Sequence, residues 1–437
     1  MISSEITGLI GVIAMLILLA LRMPIGVAML LVGTVGFMYL HPAGIDATLF
    51  MLGSYPYSYS AVYELAVIPL FILMGNAAAV SGMGRDLFAA AYAWVGHWRG
   101  GLASATIASC AGFAALTGSS VAAAVTMGRV CLPEMKRYNY DDRLATGTVA
   151  AGGTLGILIP PSTAFIVYAI LTEQSIGRLL LAGVLPGLLL TVLFIATIAI
   201  WTRVNPKLGP AGAHASWRER FTTLGKAGPM VTIVAASIGG IYLGVFTPAE
   251  AAAVGAFLSL LWALCNRTLN AANLQFVLLE TVKTTAFVFI VLVGALVFGP
   301  FLAMSGLPQA IVAWLTGLDV PNWGILSLLM VLYIILGMFL EGFSILVLTI
   351  PIVIPIITAL GYDLIWFGVL MVVLLEMGLI SPPVGINVFV VKGLVPDVPL
   401  TTVFAGIFPF WFAMVICLIL LILFPQIALL IPERMIG

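Results

Sequence analysis

The sequence predicts an all-α integral membrane protein built from two related halves of inverted topology. Of its 437 residues, 62% are hydrophobic and only 8% are charged, whereas soluble domains are about one-quarter charged. The apolar residues form runs of helix-forming length, and about 17 to 25 such residues cross the hydrocarbon layer. One unusual segment, an apolar run interrupted by a proline pair, occurs once in each half. Together these observations place the chain in a membrane.

Ten apolar runs are predicted to cross the membrane as helices, and two longer runs are predicted to enter and leave from the same side. The ten are 3–21, 24–40, 66–80, 142–170, 179–202, 229–246, 249–265, 284–304, 364–391 and 401–428. The segments 101–131 and 324–358 are long enough to cross twice, but small or polar residues interrupt them in the middle. We therefore predict that they are re-entrant hairpins.

The two halves match in register at an offset of 222 residues. The matching positions are Pro160-Pro161 with Pro382-Pro383, Gly156 with Gly378, Pro133 with Pro355 and, at a slightly longer offset, Ser81-Gly82 with Ser305-Gly306. Corresponding Gly and Pro interruptions in two halves of a hydrophobic chain are typical of the substrate site of secondary transporters.

The positions of the basic residues predict the orientation. The predicted spans place all but Arg178 and Arg434 of the 17 Lys and Arg residues on one side. Basic residues concentrate on the cytoplasmic side of membrane proteins, so we expect both termini on the outer, periplasmic side. Pro24 then opens an outward-going helix, and its counterpart Pro248 opens an inward-going one.

This threading divides the chain into three parts. Residues 1–202 form the first inverted repeat, with a hairpin at 101–131 and a broken helix at 142–170. Residues 203–228 form a cytoplasmic linker. Residues 229–437 form the second repeat, with a hairpin at 324–358 and a broken helix at 364–391.

Each proline pair is expected to open its helix. Proline lacks a backbone N–H and clashes with the carbonyl one turn earlier, so carbonyls near 159–162 and 380–384 lose their donors. At membrane depth such carbonyls are tolerated only where they line a cavity or meet a ligand. Their oxygens suit a small hard cation, and the amide end of the next helix suits a carboxylate. Proline kinks are common in membrane helices, but the registered, doubled pair favours a transport site.

The middle of the first hairpin carries the polar sequence Thr117-Gly118-Ser119-Ser120. Its hydroxyls and free carbonyls could complete an oxygen cage for a cation. The alternative is that these side chains hydrogen-bond neighbouring helices, as Ser and Thr commonly do in membranes.

The second hairpin and second broken helix contain the two clearest intramembrane acids, Glu341 and Glu376. Ionisable groups at this depth are costly and usually functional, so each is a candidate cation ligand or coupling proton carrier. Glu376 could instead be a local partner at the helix break. Asn387, just after the second proline pair, could contact substrate or cap freed backbone groups.

Three strings carry a specific resemblance. GSSVA at 118–122, ILIPPST at 157–163 and ISPPVGIN at 380–387, in a chain of two inverted halves, resemble the large membrane (M) subunit of TRAP transporters, the tripartite ATP-independent periplasmic carriers. The resemblance covers essentially the whole chain. It implies import of an organic acid, a carboxylate such as sialic acid or a C4-dicarboxylate, across the bacterial inner membrane. It also implies a sodium gradient, a periplasmic binding protein, a small four-helix membrane subunit and an elevator motion of the hairpins and broken helices.

The resemblance also implies two sodium sites, mostly built from backbone carbonyls. The first site would use Thr117, Ser119, Gly156, Ile159 and Pro160, and the second would use Gly337, Gly378, Ser381 and Val384. The candidate substrate ligands are Ser120, Ser162, Thr163 and Asn387. The second hairpin departs from the pattern because it lacks a Gly-Ser-Ser tip. No four-helix segment precedes residue 1, so the small subunit is expected to be a separate chain.

The outer segment from His41 to Glu64 is predicted to be a loop rich in tyrosine. It has no Lys or Arg and contains Tyr55, Tyr57, Tyr59 and Tyr63. Tyrosines at this position anchor a protein at the membrane interface, and they also suit docking of another protein.

Two other classes of protein compete with this interpretation. A self-sufficient Na⁺- or H⁺-coupled carboxylate symporter or antiporter of the wider ion-transporter superfamily would share these features without needing partners. An intramembrane aspartyl enzyme would need a pair of facing acids, and the spans contain no Asp pair. A phosphate-binding GxxxxGK[ST] loop is also missing, which argues against ATP as the energy source. We therefore expect a transporter and not an enzyme, with a substrate that the sequence does not specify.

Overall fold

The computed structural model describes residues 3–317 and 320–435, and these residues fold into α-helices joined by short turns. In the first half the helices are α1 (Ser4–Ala20), α2 (Ile25–Leu40), α3 (Gly44–Ser60), α4 (Val67–Val80), α5 (Met83–Val95), α6 (Gly101–Thr117), α7 (Ser120–Arg137), α8 (Asp142–Leu158), α9 (Thr163–Thr172), α10 (Ile176–Ala182) and α11 (Val184–Val204). In the second half they are α12 (Trp217–Tyr242), α13 (Pro248–Cys265), α14 (Ala271–Ser305), α15 (Leu307–Thr316), α16 (Asn322–Gly337), α17 (Gly342–Ala359), α18 (Leu364–Leu379), α19 (Ile386–Leu394), α20 (Leu400–Leu423) and α21 (Gln426–Glu433).

The predicted fold class is confirmed. Eight of the described helices or helix pairs are long and apolar enough to cross a membrane. Helices α6 and α7 form a hairpin, and so do α16 and α17. The proline pairs separate α8 from α9 and α18 from α19, because proline can neither donate a helical hydrogen bond nor fit behind the preceding turn.

The repeat is visible in the local hydrogen bonding of the two halves. Ser81 donates to Ala78 and caps the amide of Met83, and its counterpart Ser305 makes the equivalent bonds. The glycine after each serine has a positive φ, 86° at Gly82 and 71° at Gly306, a conformation that glycine adopts without strain. Matching sequence therefore produces matching turns before α5 and α15.

Two groups of helices pack closely, and glycines set their spacing. Helix α2 lies along α14, and a Cβ on Gly26 would lie 2.5 Å from the carbonyl oxygen of Ile290. Helix α8 is surrounded by α6, α7 and α20, with Gly147 packed directly on the backbone of Gly406. Small residues at helix crossings allow this approach, and the resulting packing stabilises membrane helix bundles.

The connection between α11 and α12 is fixed to the first half by hydrogen bonds. Gly100 donates to Gly209 at 2.9 Å, and Gly212 donates to Gly96 at 2.9 Å. The Tyr140 hydroxyl donates to the carbonyl of Pro210 at 2.9 Å and accepts from an amide in the first turn of α6 at 3.1 Å. Burial raises the pKa of Tyr140 to about 12, so the hydroxyl stays protonated at neutral pH and can donate this hydrogen bond.

Several helices differ from the sequence-based expectation. The segment from His41 to Glu64 was predicted to be a loop, which is wrong, because most of it forms α3 and a short 3₁₀ turn follows at Tyr63–Ala66. The side chain of Tyr59 lies outside the described residues. Helices α5 and α15 were not predicted, since they are short and only partly apolar. Helix α14 has 35 residues, about 52 Å of helix, and so exceeds the ~30 Å hydrocarbon layer.

Candidate functional site

The first broken helix presents backbone carbonyls without helical donors. The carbonyls of Gly156 and Ile157 would normally accept from residues 160 and 161, but both of those are prolines and have no N–H. Both Pro160-Pro161 and Pro382-Pro383 are joined by a cis peptide bond. Helix α8 ends at Leu158, and Ile159 caps it in an extended conformation. This end of α8 therefore offers oxygen atoms to a ligand.

The first hairpin tip lies directly against that end. A Cβ built on Gly156 would lie 2.5 Å from the carbonyl oxygen of Ser119, so only glycine fits between the two backbones. The Thr163 hydroxyl donates to the carbonyl of Gly118 at 2.9 Å. Gly118 itself has a φ of 60°, which reverses the chain at the tip. The structure thus brings together the members of the first predicted sodium set.

We call this contact between the hairpin tip at 117–120 and the broken helix at 156–163 the first junction. The hydroxyls around the first junction also cap helices. Ser119 accepts from the amide of Ala122, and Ser162 accepts from the amide of Phe165, each at 3.3 Å. Thr117 donates to the carbonyl of Phe113 at 3.3 Å. A hydroxyl oxygen has two lone pairs, so each capping serine retains one lone pair for a further ligand.

In the second half, the end of α16 meets the end of α18 in an equivalent contact, which we call the second junction. Here two glycines touch each other. Gly337 at the end of α16 packs on Gly378, and a Cβ on Gly337 would lie 2.8 Å from the Cα of Gly378. The Gly378 carbonyl accepts from the amide of Ser381 at 2.9 Å. The Ser381 hydroxyl donates to Met377 at 2.6 Å and accepts from the Trp411 indole at 3.0 Å.

The second break is more exposed than the first. Val384 is 37% exposed, and the two prolines before it are also exposed, whereas Pro160 and Pro161 are buried. Gly337, Gly378 and Ser381 of the second predicted sodium set therefore lie together, with the Gly378 carbonyl and the Ser381 hydroxyl already hydrogen-bonded within the protein, while Val384 lies at the exposed end of the break.

A small cavity of about 70 Å³ lies between the two hairpin tips and the two broken helices. It is lined by Ser119, Ser120, Val121, Ile157, Thr163, Ala164, Glu341, Gly342, Phe343, Leu375, Glu376, Leu379 and Ile386. Glu341 caps α17 by accepting from the amide of Ser344 at 3.3 Å. Glu376 is 1% exposed, and within the described chain neither of its carboxyl oxygens has a hydrogen-bond partner.

A larger cavity of about 660 Å³ adjoins it. Its lining includes Thr117, Ser119 and Thr163 at one end and Arg129 and Glu280 at the other. The wall between these ends is formed by α4 and α14, where the Asn76 amide donates to Thr281 at 3.0 Å. Four residues line both cavities, and they are Ser119, Val121, Thr163 and Phe343.

Two of the four predicted substrate residues line these cavities, and the other two are buried away from them. Thr163 lines both cavities and Ser120 lines the smaller one. Ser162 and Asn387 are fully buried, and both polar atoms of the Asn387 side chain lack a hydrogen-bond partner among the described residues. Sequence reasoning missed Asn76, although a lone amide side chain within the apolar α4 is a detectable signal.

The chain matches known proteins over nearly its full length. Residues 12–427 match the sequence model of the family described as "Tripartite ATP-independent periplasmic transporter, DctM component". The chain belongs to this DctM family. The resemblance inferred from the three sequence strings is therefore confirmed, and the protein is a multi-pass membrane permease component.

Similar proteins agree with this assignment. The C4-dicarboxylate TRAP transporter large permease protein DctM of Pseudomonas aeruginosa is 40% identical over 85% of this chain and 86% of its own. The sialic acid TRAP transporter large permease protein SiaM of Vibrio cholerae is 33% identical over 96% of this chain and 97% of its own. The crystal structure of the Alcanivorax borkumensis YdaH transporter covers 89% of this chain and 88% of its own with a TM-score of 0.64. Because the two sequences are only 15% identical, this similarity shows a shared fold and nothing further.

Proposed function

We propose that this protein is the permease subunit of a sodium-coupled importer of an organic acid in a bacterial inner membrane. In this proposal a periplasmic binding protein delivers the substrate, and a small four-helix membrane subunit holds the permease in the bilayer. The similar DctM and SiaM permeases are named for C4-dicarboxylate and sialic acid, which are both carboxylates. A carboxylate is therefore the substrate class we favour.

The proposed coupling to Na⁺ rests on the contact between Ser119 and Gly156. Here a hairpin tip approaches a helix end whose carbonyls have lost their donors to proline. Small hard cations bind oxygen ligands from carbonyls and hydroxyls at short range. The first site would use Thr117, Ser119, Gly156, Ile159 and Pro160, and the second would use Gly337, Gly378, Ser381 and Val384. Repetition of this junction in both halves supports a pair of Na⁺ sites rather than a structural kink.

The larger cavity supports the substrate part. Its volume of about 660 Å³ lies within the roughly 300 to 1,000 Å³ of ligand pockets. Hydroxyls at the hairpin tip and the Arg129 guanidinium at the other end suit an organic anion. Arg129 belongs to the side that the positive-inside rule predicts to be cytoplasmic. We therefore interpret this conformation as open towards the cytoplasm.

The packing supports an elevator motion. Helices α2, α4, α13 and α14 form one packed group, while α6, α7, α8 and α20 form another that carries the first junction. The large cavity lies between the two groups, since α4 and α14 line one wall and α7 the other. Sliding the second group past the first would expose the junctions to opposite sides in turn.

Reconstitution tests the proposal. Proteoliposomes containing this chain, the small membrane subunit and loaded binding protein are expected to accumulate substrate only with an inward Na⁺ gradient. K⁺ is not expected to replace Na⁺, because oxygen cages select by cavity size and ligand number. Uptake without Na⁺ on either side would contradict the coupling. Uptake by this chain alone, driven by free substrate, would instead support a self-sufficient symporter.

A further inference from the structure

The acids of the small cavity occur in only one of the two halves. At the repeat offset of 222 residues, Glu376 corresponds to Thr154 and Glu341 corresponds to Ser119. Thr154 is fully buried and satisfies its hydroxyl by donating to Ala151 at 2.6 Å. Ser119 caps α7 just as Glu341 caps α17. The second half has therefore placed two carboxyl groups where the first half uses hydroxyls.

Glu376 lies where a lone carboxylate is costly. It is 1% exposed, and neither of its oxygens meets a donor among the described residues. The Ser120 hydroxyl is close enough to interact with it, but not within hydrogen-bond geometry. In the described part of the chain, no Lys, Arg or His lines the cavity. A buried carboxyl group is normally paired with a positive charge, bound to a cation or protonated, and because no basic side chain of the described chain lines this cavity, the cavity leaves room for a bound cation.

The rest of the lining is mostly apolar, but part of it can supply oxygen ligands to a hard cation, namely the hydroxyls of Ser119 and Ser120 and backbone carbonyls. Ile157 and Leu379 line the cavity at symmetry-related positions. Each lies four residues before the second proline of its pair, so neither carbonyl has a helical donor. Thr163 adds a hydroxyl at the edge shared with the larger cavity. Carboxylate, carbonyl and hydroxyl oxygens are the ligands that hard cations prefer.

The size of the cavity selects the ligand. Its volume of about 70 Å³ is well below the roughly 300 Å³ of the smallest typical ligand pockets. It exceeds the ~15 Å³ needed for one water, so an ion with one or two waters fits. The organic substrate does not fit, and an anion would also be repelled by the two acids.

We propose that this cavity is a third Na⁺ site, next to the two junction sites and bordered by Ser119 of the first, in which Glu376 is the principal ligand. The bound ion offsets the charge of Glu376 and lowers the negative potential next to the larger cavity, and so allows an organic anion to bind across the shared wall. Binding of the substrate therefore requires prior occupation of this site. The inference rests on the proposed sodium coupling, which it deepens by assigning the ion that acts directly on substrate affinity.

Direct counting of bound ions tests this site. The permease with its small subunit, in nanodiscs, is titrated with radioactive ²²Na⁺ at equilibrium. Glu376→Gln keeps the side-chain volume but removes the charge, and it is expected to bind one Na⁺ fewer than the unmodified protein. The matched control Glu219→Gln changes an exposed acid near the start of α12 and is expected to bind the full number. Equal numbers for Glu376→Gln and the unmodified protein would overturn the third site.

A second variant and a second measurement cover a folding failure. Glu376→Asp retains the charge but withdraws it by one methylene, and we expect about tenfold weaker binding at one site only. The slope of log substrate affinity against log Na⁺ concentration is expected to fall by one unit in Glu376→Gln. An unchanged Na⁺ affinity in Glu376→Asp, or an unchanged slope, contradicts the inference. If the unmodified protein binds no Na⁺ at all, the proposed sodium coupling itself fails.

Discussion

Gly156→Ala is the most direct test of the first junction because it adds a single carbon atom at the point of contact. The new Cβ would lie 2.5 Å from the carbonyl oxygen of Ser119, and ordinary contact begins near 3.4 Å. The hairpin tip must therefore retreat by about 0.9 Å, the difference between these two distances. Cation–oxygen bonds in hard-cation sites span only about 2.3–2.6 Å. A retreat of this size removes the Ser119 carbonyl from any ion that it coordinates.

The stability cost of this change should be small. Overpacking of a tight interior costs about 1–3 kcal/mol, while replacing Gly by Ala within a helix stabilises by about 1 kcal/mol. The net loss of about 0–2 kcal/mol leaves the protein folded and inserted. Losing one oxygen ligand, at about 1.4–2.8 kcal/mol, corresponds to a ten- to hundredfold weaker Na⁺ affinity, since 1.4 kcal/mol is tenfold in binding.

The assay is Na⁺-dependent uptake in proteoliposomes, with insertion checked by yield and thermal stability. We expect the half-saturating Na⁺ concentration to rise at least tenfold. Gly393→Ala is the matched control, because a Cβ on this helical glycine of α19 meets no atom of the described residues within 4 Å, and it should transport normally. If Gly156→Ala transports with the original Na⁺ dependence, the junction is only a kink and the assignment of the first sodium site is wrong.

Three further changes separate the roles of the surrounding residues. Ser119→Ala removes a helix cap and a candidate Na⁺ ligand, and we expect about a tenfold higher half-saturating Na⁺ concentration. Ser216→Ala, which removes only the exposed cap of α12, should not change that concentration, and an equal effect of both would mean that capping alone matters. Arg129→Gln is expected to raise the KM for the organic anion about tenfold in uptake kinetics without changing the Na⁺ dependence. Arg137→Gln, outside the cavity, is the control. An unchanged KM in Arg129→Gln argues against a role of Arg129 in binding the anion. Tyr140→Phe leaves the amide of Leu102 and the carbonyl of Pro210 without their partner and should destabilise the protein by about 1–3 kcal/mol, seen as a lower Tm, whereas the exposed Tyr57→Phe should leave the Tm within error.

Local chemistry explains why much of the fold was predictable from the sequence. Hydrophobic length and the missing N–H of proline act within a few residues, so the crossing helices and both breaks follow from the sequence alone. The registered repeat then predicts the paired hairpins and the equivalent turns at Gly82 and Gly306. Polar composition was misleading for His41 to Glu64, where Gly44–Ser60 forms a helix despite Pro56 and several turn-forming residues.

The tertiary structure alone decided which distant groups meet. Asn76 and Thr281 are 205 residues apart, yet they share a hydrogen bond across the wall of the larger cavity. In the sequence Glu376 is one acid within a uniformly apolar run, and nothing local indicates which way it faces. Only the packing of the two halves places it beside Ser120 and Glu341 in one cavity. Apolar helices in lipid show little sequence difference between their protein-facing and lipid-facing sides, because both environments are equally apolar. For that reason the sequence determined the helices and their breaks, while the close contact of backbones at glycines decided the site.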